Sequence, residues 1–427
     1  MAVAAHLLDS PGRKSRQPGA AQTKILVAFL HMTSILVQQT SALLWLDSLE
    51  VRALNDIRSS LRDLPGSNFL ASWDFSHDPC SSFKGVVCWS IGGVNHVTML
   101  SLGSGIAGTP GLAGTLSPSL GKLTYLRSLA LVPGQVHGCI PDSIAGLKDL
   151  QFIGLANNRL SGSLPSSFSE LCSVQGLDVS YNALTGSLPE GVAKLPNLNT
   201  LTLSHNSMSG ALPLFSAPLI HLDLQRNGFT GPIPSLPGTL EYLSLAKNCL
   251  TGTIQGMATL QRLAFLDLSF NQFTGGIPPE IFGFRISNLL LQRNQLSGPV
   301  QVLTSPSRHA TTSFTGIPAM VDLSYNCLTG QAPAGLAFAQ KLFLNNNRFS
   351  GAVPQEFVDA MVFGDLQVLY LQHNYIANIN LASTIPLPTT CTFCIQYNCL
   401  SPPQQSSCPF NVGRQASRPM TQCSTFH

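Results

Sequence analysis

Charge is scarce in this chain. Only 10% of its residues are Asp, Glu, Lys or Arg, and the formal balance of +3 is too small to grip a phosphate backbone, so nucleic acid is excluded as a partner. Long apolar runs are also missing beyond the N-terminal region: none approaches the roughly 18 to 20 residues that a membrane span requires. No phosphate-binding loop, zinc-helix motif, nucleophile elbow or kinase motif set occurs, which leaves no catalytic constellation, no metal site and no cofactor to expect. Asn-x-Ser/Thr is absent throughout, so the glycan mark of many secreted proteins is lacking.

What is present is repetition. LQFIGLANNRLSGSLP at Leu150 to Pro165, LNTLTLSHNSMSGALP at Leu198 to Pro213 and LAFLDLSFNQFTGGIP at Leu263 to Pro278 are one pattern written three times. Aligned units begin at Val97, Leu126, Leu150, Val174, Leu198, Leu219, Leu240, Leu263, Ile286, Pro318, Ala339 and Leu366. A period of about 24 residues over about twelve units predicts a solenoid, because one unit cannot bury its own apolar face and must stack on its neighbours.

Each recurrent slot has a physical task. The Leu-x-Leu strand sends its leucines inward and the intervening residues to the concave side. Asn158, Asn182, Asn206, Asn227, Asn248, Asn271, Asn294, Asn326, Asn347 and Asn374 return three residues after the second strand Leu, where a stacked carboxamide can satisfy turn groups otherwise buried unpaired. Gly then lets the chain bend, and Pro holds an extended convex segment.

The Leu-x-Gly-x-Ile-Pro half of the unit resembles the plant-specific class of extracellular leucine-rich repeats, found in receptor kinases, receptor-like proteins and polygalacturonase inhibitors. The resemblance implies an α/β repeat solenoid, a right-handed leucine-rich-repeat superhelix with disulfide-capped ends. It covers nearly all of the expected mature chain and names no ligand.

Both ends of such an array need caps. Asp47 to Leu64 reads as an amphipathic helix with Leu49, Ala53, Ile57 and Leu61 on one stripe, stopped by Pro65-Gly66. Trp73, Cys80 and Cys88 follow, an order that resembles the N-terminal cap of plant receptor-like proteins and implies a Cys80 to Cys88 disulfide. After the last repeat, Cys394, Cys399, Cys408 and Cys423 crowd a short tail beside Cys391, which predicts a disulfide-tied cap of open connectivity. Cys391-Thr-Phe-Cys394 as a redox or zinc motif lacks a second Cys pair and clustered His. The 11 cysteines leave at least one thiol over, and Cys139, Cys172, Cys249 and Cys327 read as repeat variation.

Arg13, Lys14, Arg16 and Lys24 precede the apolar run Ile25 to Val37, with small residues at Thr40-Ser41-Ala42, as in a secretory signal peptide; a signal anchor is the alternative. The expected organisation is therefore a signal peptide over 1–42, an N-terminal cap over 43–96, repeats over 97–376 and a Cys-rich cap and tail over 377–427.

Irregularities mark where the array departs from its period. LFSAPL and SLPGTL shorten two units, and their prolines predict an extended back face. Two insertions follow other rules: the polar Thr304 to Thr315 and the Gly-rich Gly103 to Gly111. The latter matches a dinucleotide fingerprint in form, yet Thr109-Pro110-Gly111 opens no helix to receive a pyrophosphate.

The candidate ligand-binding residues lie on the concave face, in two columns: Tyr181, His205, Arg226, Lys247, Phe270 and Arg293 just before the ladder Asn, and Asp178, Asp223 and Asp267 between the strand leucines. Tyr325 and Asp322 extend these columns. Carboxylates, cations and rings side by side suit an extended polar partner, whereas cross-strand pairing alone would also account for them. The expected function is a secreted, non-enzymatic module that binds a peptide or protein at the plant cell surface or wall, as accessory to a membrane receptor kinase. The alternatives are an inhibitor of a wall-degrading hydrolase and a structural wall-associated protein, although the long Ser-Pro tracts of wall-linking proteins are represented here only by Ser401-Pro402-Pro403.

N-terminal sequencing of secreted protein is expected to begin near Leu43; an intact chain kept in the cytosol would overturn the signal-peptide reading.

Overall fold

Two strands per repeat, set at a corner, account for most of the regular secondary structure. The computed structural model describes residues 46–103, 111–131, 133–302, 319–337, 339–380, 388–403, 408 and 417–423. The expected leader and the core of both insertions, 104–110 and 303–318, lie outside the described residues. The chain divides into two compact units: the first runs to Met208 and takes in Ser216–His221, the second holds Ser209–Phe215 and continues from Leu222.

In the first unit, a hairpin of Val86–Ile91 and Val94–Leu102 starts a sheet continued in parallel by Ser128–Leu131, Phe152–Gly154, Gly176–Asp178 and Thr200–Thr202. In the second, Tyr242–Ser244, Phe265–Asp267, Asn288–Leu290, Met320–Asp322, Lys341–Phe343, Val368–Tyr370 and Thr392–Cys394 pair in parallel. Register is strict: Phe265 stands opposite Asn288 and Asn288 opposite Met320, so one repeat slot forms one column. A second ladder of parallel strands follows the ladder Asn in each unit, as in Arg159–Ser163 with Ala183–Thr185, and Gln295–Pro299 with Cys327–Gln331.

The core lies between these sheets and the back face. Leu266, Leu268, Leu289, Leu291, Leu342 and Leu344 are fully buried, and so is the residue two places after each ladder Asn, including Phe229, Leu250, Phe273, Leu296 and Phe349. Short 3-10 turns such as Ser166–Glu170 and Pro279–Gly283 line the back of most repeats. No 3-10 helix forms from Leu212 to Ile220 or from Ile233 to Glu241, where prolines remove donors, although Leu240 N closes a single turn on Pro237 O at 3.2 Å.

The ladder asparagines knit adjacent repeats together. Asn271 Oδ1 accepts the Leu250 amide at 3.0 Å, while its Nδ2 donates to Leu245 O at 2.9 Å and Leu268 O at 3.2 Å. Asn182, Asn206, Asn248, Asn294, Asn326, Asn347 and Asn374 repeat this arrangement. Asn158 accepts from Val136 N, and Asn227 Nδ2 donates to Leu224 O within its own repeat. One rung was not anticipated: Asn398 accepts from Ile376 N at 2.9 Å and donates to Leu371 O at 2.9 Å. The ladder thus continues into the Cys-rich segment, where Phe393 and Ile395 take the leucine slots.

At the N-terminal end the helix spans Ser48–Ser60, with Asp47 Oδ1 accepting from Leu49 N and Glu50 N. Its stripe departs from the expected one. Leu49 is 61% exposed, and Glu50, at 2%, is turned inward with Ala53, Leu54 and Ile57. Burial of Glu50 is possible because its carboxylate accepts from Val97 N at 2.7 Å and lies 2.9 Å from His96 Nδ1, closing the start of the first sheet. Leu61 leaves the helix for the strand Leu61–Asp63, which pairs antiparallel with Leu112–Thr115.

Cys80 and Cys88 are bridged, and Trp73 is buried nearby, stacked on Phe83 at 5.2 Å. At the other end Cys394 pairs with Cys408 and Cys399 with Cys423. The Cys391 thiol stands outside both bridges, buried 3.7 Å from Leu366 O, and burial raises its pKa. Cys139, Cys172 and Cys249 carry exposed thiols.

Asn271→Ala is expected to cost about 1 to 3 kcal/mol, since it strands buried backbone groups of two repeats. Urea unfolding checks this, with Asn227→Ala as a second ladder variant.

Candidate binding face

The outward face of the first-strand sheet is where side chains are free to vary, because the inward positions are committed to the core. Its most constrained column is the residue before each ladder Asn. Asn157, Tyr181, His205, Arg226, Lys247, Phe270, Arg293, Tyr325, Asn346, His373 and Tyr397 all adopt left-handed backbone, with φ between 52° and 60°. Glycine and asparagine enter that region readily, whereas other residues do so at about 1 to 2 kcal/mol. Backbone pairing compensates locally: Phe270 N donates to Gln292 O at 3.0 Å, and Arg293 N to Ser324 O at 3.0 Å. The corner also aims each side chain outward beside its neighbour in the next repeat.

In the first unit this brings Tyr181 and His205 into a parallel stack with centroids 3.9 Å apart. Asp178 is half-buried one column away and accepts from Ser180 N at 2.9 Å; desolvation raises its carboxyl above the usual range.

In the second unit the column forms a continuous stack of alternating charge and ring. Lys247 Nζ lies 5.3 Å from the Phe270 centroid, and the Arg293 guanidinium lies 5.2 Å from Phe270 and 4.2 Å from Tyr325. Both rings remain exposed, Phe270 by 40% and Tyr325 by 44%. Arg226 is exposed in the same column but joins no ring contact among the described residues.

A carboxylate column runs alongside. Asp223 is buried and accepts from Gln225 N, Asp267 accepts from Ser269 N, and Asp322 accepts from Ser324 N and Oγ. Burial raises the Asp322 carboxyl, Asp267 adds to the rise, and Arg293 opposes it. Sequence reasoning passed over the column before it, in which Tyr242 and Phe265 stack at 4.5 Å. The available signal was aromatic residues in the same slot of adjacent units. Burial, then the Asp223 and Asp267 carboxylates, drive the Tyr242 hydroxyl well above its ordinary pKa, so it stays a neutral donor.

Leucine rich repeat models match residues 148–208, 218–240 and 262–284, and a Leucine rich repeat N-terminal domain model matches 47–89, over the cap helix, Trp73 and the first disulfide. The chain carries leucine-rich repeats behind an N-terminal cap of the same kind. This leucine-rich-repeat chain is similar to the plant peptide hormone receptor RGFR1, solved in complex with RGF2, at 32% identity and a TM-score of 0.55, over 62% of this chain and 42% of that one. It is similar also to the ectodomain of the membrane receptor kinase GASSHO1/SCHENGEN3 from Arabidopsis thaliana, solved with CASPARIAN STRIP INTEGRITY FACTOR 2, at 25% identity and a TM-score of 0.52, over 77% and 47%. A plant ice-binding protein matches at 28% identity and a TM-score of 0.54, over 67% and 89%. The match thus spans less than half the length of either receptor ectodomain. Among the described residues no helix is long and apolar enough to cross a membrane, and no cluster of His, Cys, Asp and Glu could hold a metal ion.

Phe270→Val is expected to destabilise the fold by about 1 kcal/mol more than Phe270→Asn, because both lose the ring but only Val opposes left-handed backbone. Parallel urea titrations of the two variants check it.

Proposed function

We propose that this protein is a non-enzymatic extracellular recognition module that captures a peptide or protein through the outward strand face. One observation carries the reading: the exposed Lys247, Phe270, Arg293 and Tyr325 stack beside the Asp267 and Asp322 carboxylates. An extended polypeptide lying across the strands meets cations and rings along one column and carboxylates along the other, so both signs of charge and its apolar side chains find partners. Neighbouring strands place these groups about 4.8 Å apart, close enough for one segment to engage several.

Likeness to a plant peptide hormone receptor solved with RGF2 supports the same reading at the level of the fold. Delivery to the plant cell surface or wall, and action beside a membrane receptor kinase, form part of the proposal. The cations are held over ring faces in advance, which reduces the ordering that binding must supply.

Affinity capture from plant extracellular fluid is expected to return a polypeptide partner. Phe270→Ala and Arg293→Ala should each weaken its binding by about 2 kcal/mol, as buried aromatic and Arg anchors do. Tyr181→Ala and Arg226→Ala test how far the contact extends, and Lys148→Ala on the back face should be near neutral. Loss of binding in the Lys148 variant, with Phe270→Ala and Arg293→Ala unaffected, would overturn the reading.

A further inference from the structure

The last strands of the second unit carry a different chemistry on the same face. Lys341–Phe343, Val368–Tyr370 and Thr392–Cys394 run in register, with Phe343 opposite Tyr370 and Tyr370 opposite Cys394. Beyond these, Asn345, Gln372 and Gln396 share one column, and Asn346, His373 and Tyr397 share the left-handed column. No carboxylate occupies any of these slots. Phe343 and Tyr370 meet edge to face at 5.0 Å, and His373 lies 4.8 Å from Tyr397.

The nearest cations are accounted for at the margins. Arg418 sits over Tyr375 and Tyr397 at 4.1 and 4.7 Å and donates to Asn374 O and Gln422 Oε1. Lys341 stands exposed at the start of its strand. Burial, with Arg418 adding to it, lowers the His373 pKa and favours a neutral imidazole.

The amide column also holds an unmet demand. Gln372 is 7% exposed and its Oε1 has no hydrogen-bond partner among the described residues. A buried acceptor left in that state is costly, and a ligand donor would relieve it. Backbone pairing on both sides of Val368–Tyr370 closes this strand to an added peptide strand, so recognition here must use side chains.

We propose that this rings-and-amides patch is a second binding site, for a neutral oligosaccharide. Sugar rings present C–H faces that pack on Tyr370 and Phe343. Their hydroxyls donate and accept at once, which matches the two-sided capacity of Asn345, Gln372 and Asn346 carboxamides. A charged ligand finds no opposite charge in these slots, in contrast to the stack around Arg293. The site does not depend on the polypeptide contact proposed above, and would let the protein hold a glycan and a polypeptide together.

Calorimetric titration of the full secreted protein with cellohexaose, mannohexaose and trigalacturonate tests the proposal. Saturable binding of a neutral hexasaccharide is expected, little changed by salt, and weakened about tenfold or more by Tyr370→Ala and by Gln372→Ala. Phe270→Ala should leave it intact. Urea unfolding of each variant separates lost binding from lost fold, and Gln372→Glu, which introduces a charge while keeping the side-chain size, serves as the second probe. Failure of both neutral sugars to bind, binding of trigalacturonate alone, or neutral-sugar binding unmoved by the Tyr370 and Gln372 changes would overturn it.

Discussion

A buried carboxamide that bonds to two repeats at once is the interaction on which the rest of this molecule depends. Asn271 holds the Leu250 amide with its oxygen and the Leu245 and Leu268 carbonyls with its nitrogen, so the turn between the two strands of a repeat is satisfied only when the neighbouring repeat is present. Such a bond ties local geometry to stacking. It holds the corner, the corner sets the left-handed residue before it, and that residue faces the solvent column. Leucine burial supplies most of the driving force, but it does not by itself choose this geometry; an unpaired backbone group in the same place would.

The ends answer a different demand, the closing of an apolar cross-section. At the N-terminal side the closure is polar at its centre: Glu50 reaches inward from the cap helix to the Val97 amide and to His96, whose ring lies against Tyr125 at 3.9 Å. At the C-terminal side the last repeat is bound by two disulfides placed within its own motif, one from the strand at Cys394 and one from the residue after the Asn398 rung at Cys399. These bridges tie the final repeat, along which Ser417 and Arg418 pair with Asn398, and so limit local opening there.

Much of the fold was legible because its physics recurs. The inward leucines, the ladder Asn and the bend Gly occupy fixed offsets, and the prolines of LFSAPL and SLPGTL exclude a 3-10 helix from their units. The unread parts are those where one residue type does another's work. Asn398 escaped notice because Phe393 and Ile395 replace the leucines around it. Glu50 was hidden because a carboxylate in a core stripe makes sense only once Val97 and His96 are placed against it. On the binding face, identities could be read off the repeat, but spacing alone does not say that Arg293 bridges two rings or that Tyr242 and Phe265 stack. Those relations come from register between repeats, and the left-handed backbone comes from the turn rather than from the residues that occupy it.

That turn has an evolutionary consequence. The left-handed slot accepts Asn, Tyr, His, Arg, Lys and Phe in successive repeats with φ values within a few degrees of one another. Its backbone is set by the rung beside it, so the side chain contributes little to the choice of fold. A substitution there, other than to a β-branched residue, rewrites one point of the surface at a small cost and leaves the adjoining backbone in place. Selection can therefore edit recognition one repeat at a time, much as type is reset in a frame that holds its spacing.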